Sequence, residues 1–369
     1  MKWKVVFSLI ILVILLFFLL PAHVRRYFIW NYADLGDGEK FPSVPVQKSE
    51  LVQPLPLQTG IIHPKVPEKW NDESQKFDLF LEQNRTVAFL ILKNDTLLYE
   101  KYFGGYGEQS LIPSFSVAKV FVSALCGIAI DEGYIYSPDQ QIRFFIPELD
   151  TSLDRVTIRH LLNMQSGIQF SEAYNTPFSD MAKYYYGKHL KRYIRDLRLK
   201  QPPGVRYEYQ SVNTLLLGIL LERATGMPLN RYLEIKLWKP AGMESDANWN
   251  VDNLKDKTIK AFCCLNATAR DFARFGNLYL HKGRLAGNQI IPASWVWESL
   301  RITPGRNDDS GYPYTFQWRI LPSGAFFAKG ILGQYIVVIP QKKLVMVRLG
   351  SGTADIDWAE FCIKLAEQF

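Results

Sequence analysis

Cysteine and histidine are scarce, with four Cys and five His in 369 residues. No two cysteines have CxxC spacing and no HExxH is present, so neither a structural nor a catalytic metal is expected. Four cysteines are also too few for a disulfide scaffold in a chain this long. Adjacent residues rarely bridge, so Cys263 and Cys264 are expected to stay unpaired, and Cys126 reads as a small core residue. Charge of one sign is not gathered into blocks. The net charge is +7, but Lys and Arg are scattered among Asp and Glu. The densest basic stretch, residues 188–200, sets Leu190, Tyr193, Ile194 and Leu197 on one side and reads as the solvated face of an amphipathic helix. No recognised module accompanies it, so no nucleic-acid partner is expected. A Gly-x-Ser-x-Gly elbow is missing, which disfavours a Ser-His-Asp triad on an α/β-hydrolase sheet. No internal repeat is evident.

What is present is ordinary globular composition: 48% hydrophobic and 21% charged, with 24 Gly and 20 Pro. Aromatics reach 14%, so an aromatic-rich core or cleft is expected. The first residues differ from the rest. After Met-Lys-Trp-Lys an uncharged run, VVFSLIILVILLFFLLPA, approaches the hydrocarbon thickness at about 1.5 Å per residue. Its length and the lack of a small-x-small cleavage site favour an uncleaved anchor over a signal peptide. Residues 1–22 are therefore expected as a single transmembrane anchor. Lys2 and Lys4 nearly balance Arg25 and Arg26, so flanking charge does not settle its orientation. Residues 23–71, punctuated by Pro42, Pro45, Pro54, Pro56, Pro64 and Pro67, read as an extended tether that can lie along the body. Globular signals begin at about Asp72.

Residues 86–92 and 97–103 around Asn94-Asp95 predict a strand–turn–strand unit. Residues 116–132 predict a helix with Val120, Phe121, Ala124, Leu125 and Ile128 on its apolar face, closed by Gly133. The middle, about 138–261, is mostly helical in pattern, including 206–225 before Gly226. A helix over 268–280 is capped by Thr268. Short strands follow at 315–321, 324–330, 335–339 and 344–349, then an amphipathic helix over 357–369. Strands near both ends with helices between them predict an α+β fold, an antiparallel sheet flanked by helices with a mainly helical insertion.

Ser-x-x-Lys occurs once, as Ser116-Val117-Ala118-Lys119. Pro113-Ser114-Phe115 breaks the chain just before a strong helix, so Ser116 falls at its first turn and Lys119 on the same face. A Ser hydroxyl is a weak nucleophile until a base takes its proton, and free N–H groups at the helix start can hold an oxyanion. The bland alternative is a capping Ser with a solvated Lys. Downstream, Pro203-Gly204-Val205-Arg206-Tyr207-Glu208-Tyr209-Gln210-Ser211 leads into Leu215-Leu216-Leu217-Gly218.

With these two elements the chain resembles the serine β-lactamase and penicillin-binding protein superfamily. The likeness is greatest to class C β-lactamase-related esterases, amidases and 6-aminohexanoate-dimer hydrolases, which carry Ser-x-x-Lys at a helix start and a downstream Tyr-x-Asn or Tyr-x-Ser. Residues 160–167, ending Gln165-Ser166-Gly167, and 265–276 extend the resemblance as scaffold landmarks, so that it covers 74 to the C-terminus. The resemblance implies a β-lactamase/transpeptidase-like domain over 72–369 that hydrolyses an ester or amide through an acyl-enzyme, with no cofactor. Ser116 would attack, Lys119 take its proton, and Tyr209 protonate the leaving group. Ser211, Gly330 and Ile331 would bind substrate or hold the oxyanion. The family's Lys-Thr-Gly and Ser-Asp-Asn elements are absent, and Ala328-Lys329-Gly330-Ile331-Leu332-Gly333 stands where the former would be. Lys329 either replaces its lysine in binding substrate or faces solvent. The substrate expected is a small molecule or short peptide with an ester or amide bond. A catalytic domain outside the cytoplasm follows from the family. A penicillin-interacting cell-wall peptidase and a catalytically silent binding member are the alternatives. Tyr184, Tyr185 and Tyr186 are expected near the cleft, and Asp180 as an exposed helix-cap residue rather than an amide-orienting one.

Overall fold

A computed structural model describes residues 2–50, 52, 54–58, 62–70, 75–303 and 306–369. In chain order its main helices are α1 (Lys2–Leu19), α2 (Ala22–Trp30), α3 (Ala118–Asp131), α4 (Asp180–Tyr186), α5 (Ser211–Thr225), α6 (Ala269–Leu280) and α7 (Trp358–Leu365). The strands that matter here are β1 (Ser43–Val46), β2 (Thr86–Lys93), β3 (Thr96–Tyr102), β4 (Ile112–Pro113), β5 (Ala247–Asn250), β6 (Leu265–Ala267), β7 (Tyr314–Thr315), β8 (Trp318–Ile320), β9 (Phe326–Gly330), β10 (Gln334–Ile339) and β11 (Leu344–Gly350). Among the described residues a seven-stranded antiparallel sheet runs β3-β2-β11-β10-β9-β8-β7, and a smaller one runs β1-β5-β6-β4.

The large sheet is apolar on both faces, which is why its strands read as short continuous apolar runs. Alternation separates the faces. Leu90, Ile336, Val338, Val345 and Val347 enter the main core with α3, α5 and α6. Phe89, Ile91, Val337 and Met346 enter a second core beneath α7. Within this sheet the strand nearest the N-terminus, β2, pairs with the last strand of the chain, β11. The α+β class, the antiparallel sheet and the helical insertion are as the sequence predicts. Thr268 caps α6 by accepting from the Asp271 N–H, and Asp357 caps α7.

Two N-terminal expectations change. No single helix among the described residues is long and apolar enough to cross a membrane; α1 and α2 qualify only as a pair, and they are bent by 117°. The break falls at Pro21, which lacks an N–H and disfavours helix in the residue before it. The single-span anchor over 1–22 is thus not borne out. Residues 22–46 are also more than an extended segment. α2 buries Val24 and Tyr27, and β1 pairs with β5 through Val44↔Trp249 and Val46↔Ala247. Phe41 and Val46 join the main core. The apolar side chains between the prolines drive this docking, and an aperiodic pattern hides it. The boundary expected at Asp72 lies outside the described residues.

Candidate active site

Ser116 lies in a 3-10 turn, Phe115–Val117, that leads into α3. The turn opens with Phe115 at φ 43°, a conformation rarely adopted by residues with a side chain. It leaves Ser116 half-buried while Lys119 behind it is 1% exposed. Lys119 Nζ lies 2.9 Å from Ser116 Oγ, 2.8 Å from the Phe262 carbonyl and 3.4 Å from Ser211 Oγ. An ammonium can donate to all three, while a neutral amine can accept from Ser116.

Tyr209 reaches this centre from the extended segment before α5. Lys119 Nζ lies 5.0 Å from its ring centroid, and the buried Arg319 guanidinium, paired with Asp308, lies 5.7 Å from it. Ser211 begins α5, and its Oγ donates to Glu172 Oε1 at 2.5 Å while its N–H donates to Oε2 at 2.8 Å. Tyr174 OH donates to the same Oε1 at 2.6 Å. Burial raises the Glu172 carboxyl above its usual value, and Lys119 and these donors partly offset the shift. Lys119, Ser211, Glu172 and Tyr174 therefore form one connected chain of polar groups. Sequence reasoning missed Glu172 and Tyr174, which sit in a loop with no motif of their own. The one available signal is their position just after the Ser166-Gly167 landmark.

Gly330 packs against the nucleophile turn. A Cβ there would stand 2.7 Å from the Ser114 carbonyl and 3.2 Å from the Ser116 nitrogen, so only glycine allows this approach. Ile331 follows at the cleft. Lys329 is not brought to the centre: it follows Phe327 onto the α7 side of the sheet, whereas Ala328 and Gly330 follow Phe326 onto the Ser116 side. The position two residues before Gly330 on the nucleophile's face belongs to Ala328, which carries no charge. Arg348 holds the adjoining turn, donating to the Gly333 carbonyl at 2.8 Å and the Leu332 carbonyl at 3.3 Å. Burial lowers its pKa to about 9.

A cavity of about 290 Å3 opens at Ser116, with Ser211, Ile331, Tyr185 and Tyr186 among its walls. Tyr184 instead packs on Phe170 and Tyr193. Asp180 is the first residue of α4 and accepts from the Ser171 N–H, while Ser179 is the cap. Cys263 also lines the cavity and forms a disulfide with Cys264, which corrects the expectation that these neighbours stay unpaired. Cys264 takes φ 68°, a turn geometry that composition does not reveal. Among the described residues no cluster of His, Cys, Asp and Glu could hold a metal.

Comparison with known proteins agrees with this geometry. A family model described as Beta-lactamase matches residues 74–359. A 6-aminohexanoate-dimer hydrolase of Paenarthrobacter ureafaciens is 29% identical over 349 residues, 87% of this chain and 85% of that protein. A candidate D-alanyl-D-alanine carboxypeptidase of Escherichia coli is 30% identical over 184 residues, 43% of this chain and 42% of that protein. The solved structure of a candidate 6-aminohexanoate-dimer hydrolase from Bacillus anthracis superposes with a TM-score of 0.81 at 26% identity, covering 93% of this chain and 94% of its own.

Proposed function

The chain belongs to the β-lactamase family and is a hydrolase of that serine-hydrolase fold, and from that premise we propose that it cleaves an ester or amide bond through an acyl-enzyme on Ser116. The observation that carries this reading is the buried Lys119 amine 2.9 Å from Ser116 Oγ at a helix start. Ser116 attacks the scissile carbonyl while the Lys119 amine accepts its proton. The N–H groups of Ser116 and Ile331 hold the oxyanion, with Gly330 letting the strand close on the turn. Tyr209 donates a proton to the leaving group and later regains one from the hydrolytic water, while Lys119 returns its proton to Ser116 Oγ as that oxygen leaves the acyl group. Glu172 bonds Ser211 and fixes the hydroxyl beside the Lys119 amine.

The substrate is a small molecule or short peptide. The relative that hydrolyses 6-aminohexanoate dimers favours an amide among the candidates. The E. coli relative keeps a cell-wall D-peptidase as the second reading. Ala328 disfavours that reading, because no cation on the nucleophile's face of β9 stands ready for a terminal carboxylate.

The test is to quench the chain in acid during turnover of a p-nitrophenyl ester and weigh it. The expected result is a fraction of chains heavier by one acyl group, with Ser116→Ala neither gaining mass nor releasing nitrophenol. Undiminished turnover by Ser116→Ala would overturn the proposal.

A further inference from the structure

The family domain begins at residue 74, yet three walls of the cavity beside Ser116 come from upstream of it: Tyr27, Tyr32 and Ala33. These residues are fastened in place. Arg26 Nη1 donates to the Tyr186 carbonyl at 2.8 Å, and Tyr186 OH returns a bond to the Asn31 carbonyl at 2.6 Å. Tyr27 OH donates to the Tyr174 carbonyl at 3.3 Å, and its ring meets Tyr186 edge-on at 5.7 Å. Tyr185 OH donates to Asp37 Oδ2 at 2.7 Å. Beyond them β1 is stitched to β5, so the segment is held at both ends and its middle crosses the cleft towards Leu332.

The cavity so enclosed has a definite chemistry. Its walls include Met181, Ala182, Tyr185 and Tyr186, and among the described residues no Asp, Glu, Lys or Arg lines it. Tyr209 does not line it either. Because the leaving group must depart beside its proton donor, the cavity lies on the acyl side of the scissile bond.

We propose that this N-terminal strap, residues 22–41, is the acyl-binding wall of the site, and that Tyr32 and Ala33 set the length of an apolar acyl chain without an anionic end. The proposal rests on the acyl-enzyme reading above and deepens it by naming the class of acyl group. An acyl chain ending in a carboxylate would leave that charge facing aromatic rings without a counter-ion, which disfavours it.

The test uses the full chain and p-nitrophenyl esters from acetate to decanoate, with fluorophosphonate labelling of Ser116 run in parallel to report a folded, competent centre. In the parent, kcat/KM rises about fourfold per added methylene, the factor that burial of one CH2 supplies, until the chain meets the strap. Ala33→Leu fills the cavity by a few carbons, so the break moves to a shorter chain and the decanoate-to-butyrate ratio falls about tenfold or more, chiefly through KM. Tyr32→Ala removes a partly exposed wall and moves the break to longer chains, which decides the matter should Ala33→Leu fail to fold. An ester with an ω-carboxylate of matched length is turned over at least about tenfold less well than the neutral one. Labelling of Ser116 with unaltered chain-length profiles in both variants would overturn this inference alone. A parent that Ser116-directed fluorophosphonate does not label would overturn the acyl-enzyme reading and this inference with it.

Discussion

Glu172 accepts from Ser211 twice and from Tyr174 once, and none of those partners is a cation. Its carboxylate charge is therefore answered mainly across space by Lys119, and burial lifts its pKa. If its ionised form holds Ser211 against Lys119, Glu172→Gln should lower kcat by about 10- to 150-fold, the weight of a hydrogen bond to a charged group. The same change should remove the acidic inflection of the pH–rate profile, because activity in the parent is lost as pH falls through the raised pKa. An unaltered acidic limb would reject the role. Lys260 is a different case. It is fully buried against the Phe41 ring and the Tyr185 carbonyl, with Asp252, Asp37 and Arg26 as its nearest charges, and its amine is pushed down from 10.5 to about 7. Between pH 7 and 10.5 the unfolded chain carries a proton that the folded chain does not, so this residue makes stability rise with pH across that window. Lys260→Met should therefore be the more stable form at pH 6.5, and its advantage should shrink by roughly 4 kcal/mol by pH 10, read from denaturant midpoints. A gap independent of pH would contradict the assignment. Ser116, Lys119 and Tyr209 were legible because each belongs to a local motif with a required spacing. Glu172 was not, since a lone Glu in a loop reads as solvated until non-local packing buries it.

Strand β9 shows what alternation decides at the scale of an element. Its apolar residues announce a strand, but Lys329 can be assigned to a face only once Phe327 and Ala328 are placed on opposite cores. That assignment removes Lys329 from the centre and leaves Gly330 as the close contact. Gly330→Ala would drive a methyl to 2.7 Å from the Ser114 carbonyl, so the strand must retreat from the nucleophile turn. The expected loss is about 100-fold in kcat, as for removal of one oxyanion donor, against only about 1–3 kcal/mol of stability. Unimpaired kcat in a folded Gly330→Ala protein would contradict an oxyanion site between β9 and α3. The start of α6 was readable, because Thr268 satisfies a first-turn N–H with its own side chain, whereas the helix expected from residue 206 begins only at Ser211. The turn at Cys264 was unreadable, since a positive φ at a residue other than Gly leaves no mark in the sequence pattern.

For the whole molecule, the sequence divides the chain into anchor, tether and catalytic body, and packing redraws that division. The antiparallel sheet and the helical insertion were foreseeable from the order of strand and helix patterns. The role of residues 22–46 was not, because Val24, Tyr27, Phe41 and Val46 lie in no regular spacing, and only their burial ties them to the body. Deleting residues 2–20 should leave the melting temperature within a few degrees, whereas deleting residues 2–71 should remove part of the main core and abolish cooperative unfolding. A cooperative, fully active 72–369 fragment would show that the N-terminal segment is dispensable. The central claim is that Ser116 is an activated nucleophile, and intact mass reports it most directly. The full chain, incubated with a fluorophosphonate, should gain one adduct that maps to Ser116 and is absent from Ser116→Ala, while a penicillin should leave no lasting adduct. A folded chain that gains no adduct, or gains it equally in Ser116→Ala, would contradict the account.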